Sequence, residues 1–169
     1  MTNGYELKRI SSDSIPAALQ KAERYRIIND PSSAESICLD VLHVDPGNQE
    51  AVVTLLLAIT DQFAERPAAG DRRARELLPR LEDEYKRLYY AGVVAERVAK
   101  AHLRRGATGS GELAYHGFRE AMDWYEKAAA RRLAGNDEAI LRWNTCARIL
   151  ARDEHIRPRA EEPASPGSE

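Results

Sequence analysis

No sign of charge dominates this chain of 169 residues. Its 25 Lys and Arg meet 27 Asp and Glu, a formal net charge of -2 at pH 7. A balance of this kind exerts no general pull on polyanions, so no nucleic-acid partner is expected. Cysteine is nearly missing: only Cys38 and Cys146 occur, which excludes a disulfide scaffold. Long apolar runs are missing too. The longest, Ala51 to Thr60, is about half of the roughly 20 residues a membrane helix needs. Met1 to Ile10 carries Glu6, Lys8 and Arg9 and no apolar centre, and does not read as a signal peptide. These absences predict a soluble, cytoplasmic protein in a reducing compartment, with no membrane partner. The length suits one domain or a short repeat array.

Strand signals are also lacking. There is no alternation of β-branched and aromatic residues, and no Asn-Gly or Asp-Gly turn between such runs. Helix signals are frequent. Ser14 is placed to cap a first helix, Ile15 to Ile28, with Pro16 in its first turn. Asp30, followed by Pro31, opens a second that stops near Val44, before Asp45-Pro46-Gly47. Asn48 caps a third, Gln49 to Glu65, apolar on so many sides that it should be sandwiched between neighbours. A fourth runs from Asp71 through Ala74, Leu77, Leu78, Leu81, Tyr85 and Leu88, with Pro79 set to kink or split it. A fifth covers Ala91 to Arg105 and a sixth Glu112 to Leu133, joined by the flexible Ala107 to Gly111. Asn136 caps a seventh that ends near Arg152. Residues 1–13 then form an N-terminal extension, 14–153 a helical domain, and 154–169 a disordered tail.

The pairing of these helices has a register. Ala22 and Tyr25 lie on the first helix, Ala34 and Cys38 on the second, and Pro46 at the exit. Val52, Leu55, Leu56 and Ile59 fill matching positions on the third helix. Ala95, Val98, Ala99 and His102 do so on the fifth, and Ala121, Tyr125 and Ala128 on the sixth. Small residues let two helices approach, and larger rings fill the gap above them. This pattern resembles the tetratricopeptide repeat (TPR), with inserts at 66–73 and 107–111. The resemblance implies an all-α fold, an α-solenoid of about seven antiparallel helices. It also implies a concave surface that holds a protein or peptide partner. By the repeat register that groove consists of Leu19, Glu23, Arg26, Val53, Leu57, Glu96, Lys100, Leu103, Leu141 and Arg148. The Lys- and Asn-rich carboxylate clamp of some members of that family is absent from the first two units, where Leu19, Glu23, Val53 and Leu57 stand at its positions. The groove then reads as apolar in its middle with mixed charge at its ends, suited to an apolar helix or loop.

Catalytic and cofactor chemistry finds little footing. Gly106-Ala107-Thr108-Gly109-Ser110-Gly111-Glu112-Leu113 has phosphate-loop spacing. Glu112, however, replaces the lysine that neutralises phosphate, and Leu113 the hydroxyl that binds magnesium. Cys38 and His43 are five apart, off a common helical face, and no metal ligand set assembles. Cys146 between Trp143 and Ile149 reads as a small core hydrophobe. No cofactor and no enzymatic activity are expected. Arginine outnumbers lysine 20 to 5. Arg72, Arg73 and Arg75 form one cluster, and Arg97, Lys100 and Arg104 another at i, i+3, i+7. Both read first as solvated faces, and second as an anion-recognising stripe. The expected function is a non-catalytic adaptor or scaffold. One alternative is a structural subunit that homo-oligomerises through exposed apolar helix faces. Another, with less behind it, is an enzyme or small-ligand binder using His102, His116 and Tyr115.

Overall fold

The computed structural model describes residues 4–65 and 67–159. Among the described residues it is all-α. Seven α-helices follow one another: α1 (Ile15–Ile27), α2 (Pro31–Val44), α3 (Gln49–Asp61), α4 (Pro67–Leu77), α5 (Glu84–Arg105), α6 (Ser110–Ala129) and α7 (Glu138–Arg152). Short 3-10 turns at Ser12–Ser14 and Leu78–Arg80 precede α1 and α5. Each helix packs on the next, and α3 also touches both α1 and α5.

The boundaries follow local chemistry. Asn29, at φ 62°, closes α1 in the left-handed region. The N–H of Asp30 returns to Tyr25 O at 2.8 Å and that of Asn29 to Arg26 O at 3.0 Å, which satisfies the last carbonyls. The Asp30 side chain then accepts from the Ser33 N–H at 3.2 Å and opens α2. Asn48 does the same for α3, accepting from the Ala51 N–H at 2.9 Å. Ser14 holds the cap position of α1, but its hydroxyl points backwards and donates to Ser11 O at 2.8 Å.

Pro79 splits the expected fourth helix outright. α4 ends at Leu77, a 3-10 turn carries Pro79, and α5 begins at Glu84, seven residues before the expected Ala91. Asp83 supplies the new cap by accepting from the Lys86 N–H at 2.8 Å. Gln49 pins the turn, donating to Arg80 O at 3.1 Å and accepting from the Glu82 N–H at 2.9 Å. The insert at 66–73 is helical from Pro67 onward, and residue 66 lies outside the described residues. α3 and α6 stop four residues short of expectation, at Asp61 and Ala129.

Two cores result. Mostly aliphatic side chains of α1 to α4, with Cys38, Phe63, Leu81, Val94 and Ala101, fill the first. The second holds Phe118, Met122, Tyr125 and Cys146 among alanines of α5, α6 and α7. Leu57 and Tyr90 are half-buried against both. Glycine sets the α5–α6 spacing: a Cβ on Gly92 would stand 2.5 Å from the Tyr125 ring, and one on Gly117 2.8 Å from Ala99 Cβ. Residues 154–157, placed in the tail by sequence, instead turn back over the start of α6. Ile156 is buried in the second core, and a Cβ on Gly111 would meet His155 O at 2.2 Å. Residues 160–169 of that expected tail lie outside the described residues, as do residues 1–3 of the extension.

Candidate partner-binding cleft

The odd-numbered helices converge on one cleft of about 450 Å³. The ends of α1 and α3 supply Arg26, Ile27, Asn29, Thr60, Asp61 and Phe63. α5 supplies Glu96, Arg97, Lys100, Ala101 and Arg104, and α7 supplies Arg142. Five cations therefore line it against two carboxylates.

Both carboxylates are gripped. Asp61 lies between two guanidinium groups. Arg26 Nε donates to its Oδ2 at 2.8 Å, and Arg97 pairs with its Oδ1. Arg97 also donates to Thr60 Oγ1 at 2.7 Å. Glu23 sits behind Arg26, 3.3 Å from its Nη1, and accepts from Thr54 Oγ1 at 3.2 Å. This node ties α1, α3 and α5 together. Glu96 is deeper, only 1% exposed. It accepts from the Tyr125 hydroxyl at 2.7 Å, pairs with Lys100 and receives Arg142 Nη1 at 3.3 Å. A carboxylate out of water requires such partners, since an unpaired buried charge is costly. Burial first, then the Glu96 charge, pushes the Tyr125 hydroxyl up and keeps it a donor. Arg104 is exposed and makes no ion pair among the described residues.

A second cleft, also about 450 Å³, opens toward the N-terminal end of α5. Tyr85, Tyr89 and Tyr90 form its aromatic wall. The Tyr85 and Tyr89 rings stack with centroids 5.9 Å apart, and Tyr90 meets Tyr89 edge-on at 5.1 Å. Burial pushes the Tyr90 hydroxyl up to about 12. Asp83, Glu84 and Glu138 line this cleft with Lys86 and Arg131, and Arg131 Nε pairs with Glu84 at 2.7 Å.

Of the ten groove residues read from sequence, Arg26, Glu96 and Lys100 line the first cleft and Glu23 braces it. Leu19 is in the first core. Val53, Leu57 and Leu103 are half-buried against the cores. Leu141 and Arg148 are exposed outside both clefts. The middle of the face is consequently charged where sequence reads it as apolar, because the apolar side chains of α3 are used up in helix packing. Asp61, Thr60 and Arg142 are cleft residues that sequence reasoning missed. Arg97 and Arg104 were visible as a stripe with Lys100. Two members of the other arginine cluster are committed to pairs: Arg73 with Glu35, and Arg75 with Asp71 at 2.7 Å and Glu120 at 2.8 Å.

Other chemistry stays apart. Burial pushes both the Cys38 and the Cys146 thiol up to about 12, far from a nucleophile's range. His102 closes α5 and His116 sits exposed on α6, and neither lines either cleft. Among the described residues no three His, Cys, Asp or Glu side chains gather as a metal site. No helix of the described residues is long and apolar enough to cross a membrane. Comparison with family models, with curated proteins and with solved structures finds no match to this chain.

Proposed function

We propose that the chain is a non-catalytic protein-binding module, a cytoplasmic adaptor or scaffold that holds a partner segment against its odd-numbered helices. In this reading α1–α2, α3–α4 and α5–α6 are TPR-like hairpins, α7 closes the stack, and the odd helices form the concave side of a short solenoid. The observation that carries it is the cleft lined by α1, α3, α5 and α7, where cations exceed carboxylates and Arg104 makes no ion pair among the described residues. Affinity capture from the native host tests it, using wild type, Arg104→Glu and Arg119→Glu. Arg119 is exposed on α6 and lines neither cleft. The captured set should shrink with Arg104→Glu alone. A set indifferent to Arg104 refutes the reading.

A second reading is a structural subunit that self-associates. Leu133 is 81% exposed and Leu141 63%, and apolar side chains at the closing end of a stack invite a second copy. Light scattering separates the two, since a monomer at high concentration removes this alternative.

A further inference from the structure

The two clefts share one wall. Tyr85, Tyr89, Glu96 and Lys100 follow one another along α5 at intervals of four, seven and four residues, which is a single helical stripe. On α7, Glu138 lines the tyrosine cleft and Arg142, one turn on, lines the cationic one. The clefts therefore lie end to end. From Tyr89 to Lys100 the helix climbs about 17 Å at about 1.5 Å per residue.

Their charges are opposite. At the cationic end Arg26, Arg97, Lys100 and Arg142 share the two carboxylates Asp61 and Glu96, so positive charge stays in excess, and Arg104 makes no ion pair among the described residues. At the other end three carboxylates meet two cations beside stacked tyrosine faces. Aromatic faces with carboxylates suit an ammonium or guanidinium group. A phosphate backbone fits poorly, because Glu138 and Asp83 at the far end repel it.

Resting on the reading above that this face holds a partner protein, we infer that the occupant is an extended segment bound in one direction. Its carboxylates sit at Arg97, Lys100 and Arg104, and a lysine or arginine sits at Tyr85 and Tyr89. At about 3.3 Å per extended residue, roughly five residues separate the two. The polarity of the face fixes both the composition of the segment and its orientation, which a uniformly cationic groove would not.

The test is fluorescence anisotropy at low salt with a labelled synthetic peptide. It carries two glutamates, a Gly/Ser spacer and, five residues on, two lysines. The comparisons are a peptide of the same composition with its charges interleaved, and a single-stranded RNA of equal length. The spaced peptide should bind saturably and best. Arg104→Glu and Glu138→Lys should each weaken it roughly ten-fold, with Arg119→Glu within about two-fold of wild type. Equal binding of the interleaved peptide, RNA binding with the same Arg104 dependence, or no peptide binding up to about 1 mM each overturn the inference. If Arg104→Glu still strips proteins from affinity capture while no peptide binds, the segment chemistry is wrong and the adaptor reading survives.

Discussion

The first four helices and the last three reach a packed interior by different means. In α1 to α4 the buried side chains are mostly aliphatic, among them Leu19, Val41, Val52, Leu55 and Leu56, and the helices have 11 to 14 residues. Hydrophobic area does the work there, and cap residues such as Asp30 and Asn48 set the ends. In α5 to α7 two long helices approach until Gly92 faces the Tyr125 ring and Gly117 faces Ala99. That closeness leaves little area per residue and relies on fit. It also buries a carboxylate, Glu96, beneath the same ring. The face that carries both clefts draws its rigidity from both kinds of interior, because α5 joins them.

The difference can be broken most severely at Tyr125. Its ring is fully buried against Gly92, and its hydroxyl is a partner of Glu96. Tyr125→Ala should cost about 3–5 kcal/mol, the range for emptying an aromatic site in a close-packed core. Tyr125→Phe keeps the ring, and Glu96 keeps Lys100 and Arg142, so it should cost about 1 kcal/mol. Urea unfolding of the three proteins checks this. Equal losses for Ala and Phe would mean that the hydroxyl, not the fit, holds the second core.

The two gripped carboxylates come next. Glu96→Ala strips the counter-charge from Lys100 and Arg142. It should cost about 3 kcal/mol, the low end for a broken buried pair, because both cations are about a third exposed and can turn to water. Asp61→Ala removes a carboxylate that is 24% exposed, and about 1 kcal/mol is expected. Denaturant midpoints decide it. If Asp61 costs as much as Glu96, burial is not what separates the nodes.

Legibility followed the range of each interaction. The caps at Asp30 and Asn48, the break at Pro79 and the Arg97, Lys100, Arg104 stripe depend on residues a few positions apart, and the local pattern contained them. The start of α5 was misplaced because the apolar spacing continues smoothly from Leu77 to Leu88, across the break. Only the proline and the Asp83 cap mark the interruption. Asp61 and Arg142 were missed as cleft residues for a different reason. Asp61 meets Arg26 from 35 residues away and Arg97 from 36, and Arg142 meets Glu96 from 46, and no local spacing encodes such a meeting. The repeat register turns Leu57 toward a partner, but a register shows only that an apolar side chain is covered, not by which helix. It lies instead where the two cores adjoin.

Each core contains one cysteine, Cys38 in the first and Cys146 in the second, so the thiols report on the halves separately. Burial is the leading cause that pushes each thiol up to about 12, against about 8.5 in an unfolded chain. Between those values the native state holds a proton that the unfolded state has lost. The stabilisation is therefore complete below about pH 8.5 and drains as pH rises, by about 1.4 kcal/mol per pH unit for each thiol. Urea midpoints between about pH 8.5 and 10 should fall accordingly, and Cys38→Ala or Cys146→Ala should each halve the slope. The subtler difference lies in access. α2 is packed between α1 and α3 and buries Ala34, Cys38, Val41 and Leu42, whereas α7 buries Ala139 and Cys146 and leans on α6 and Ile156. A helix with less buried surface opens at lower free energy. A thiol reagent at sub-denaturing urea should therefore label Cys146 roughly ten times faster than Cys38, and Ile156→Ala should accelerate Cys146 alone. Identical labelling rates would instead mean that both interiors open only in one global event, with α5 transmitting every loss of packing from one to the other.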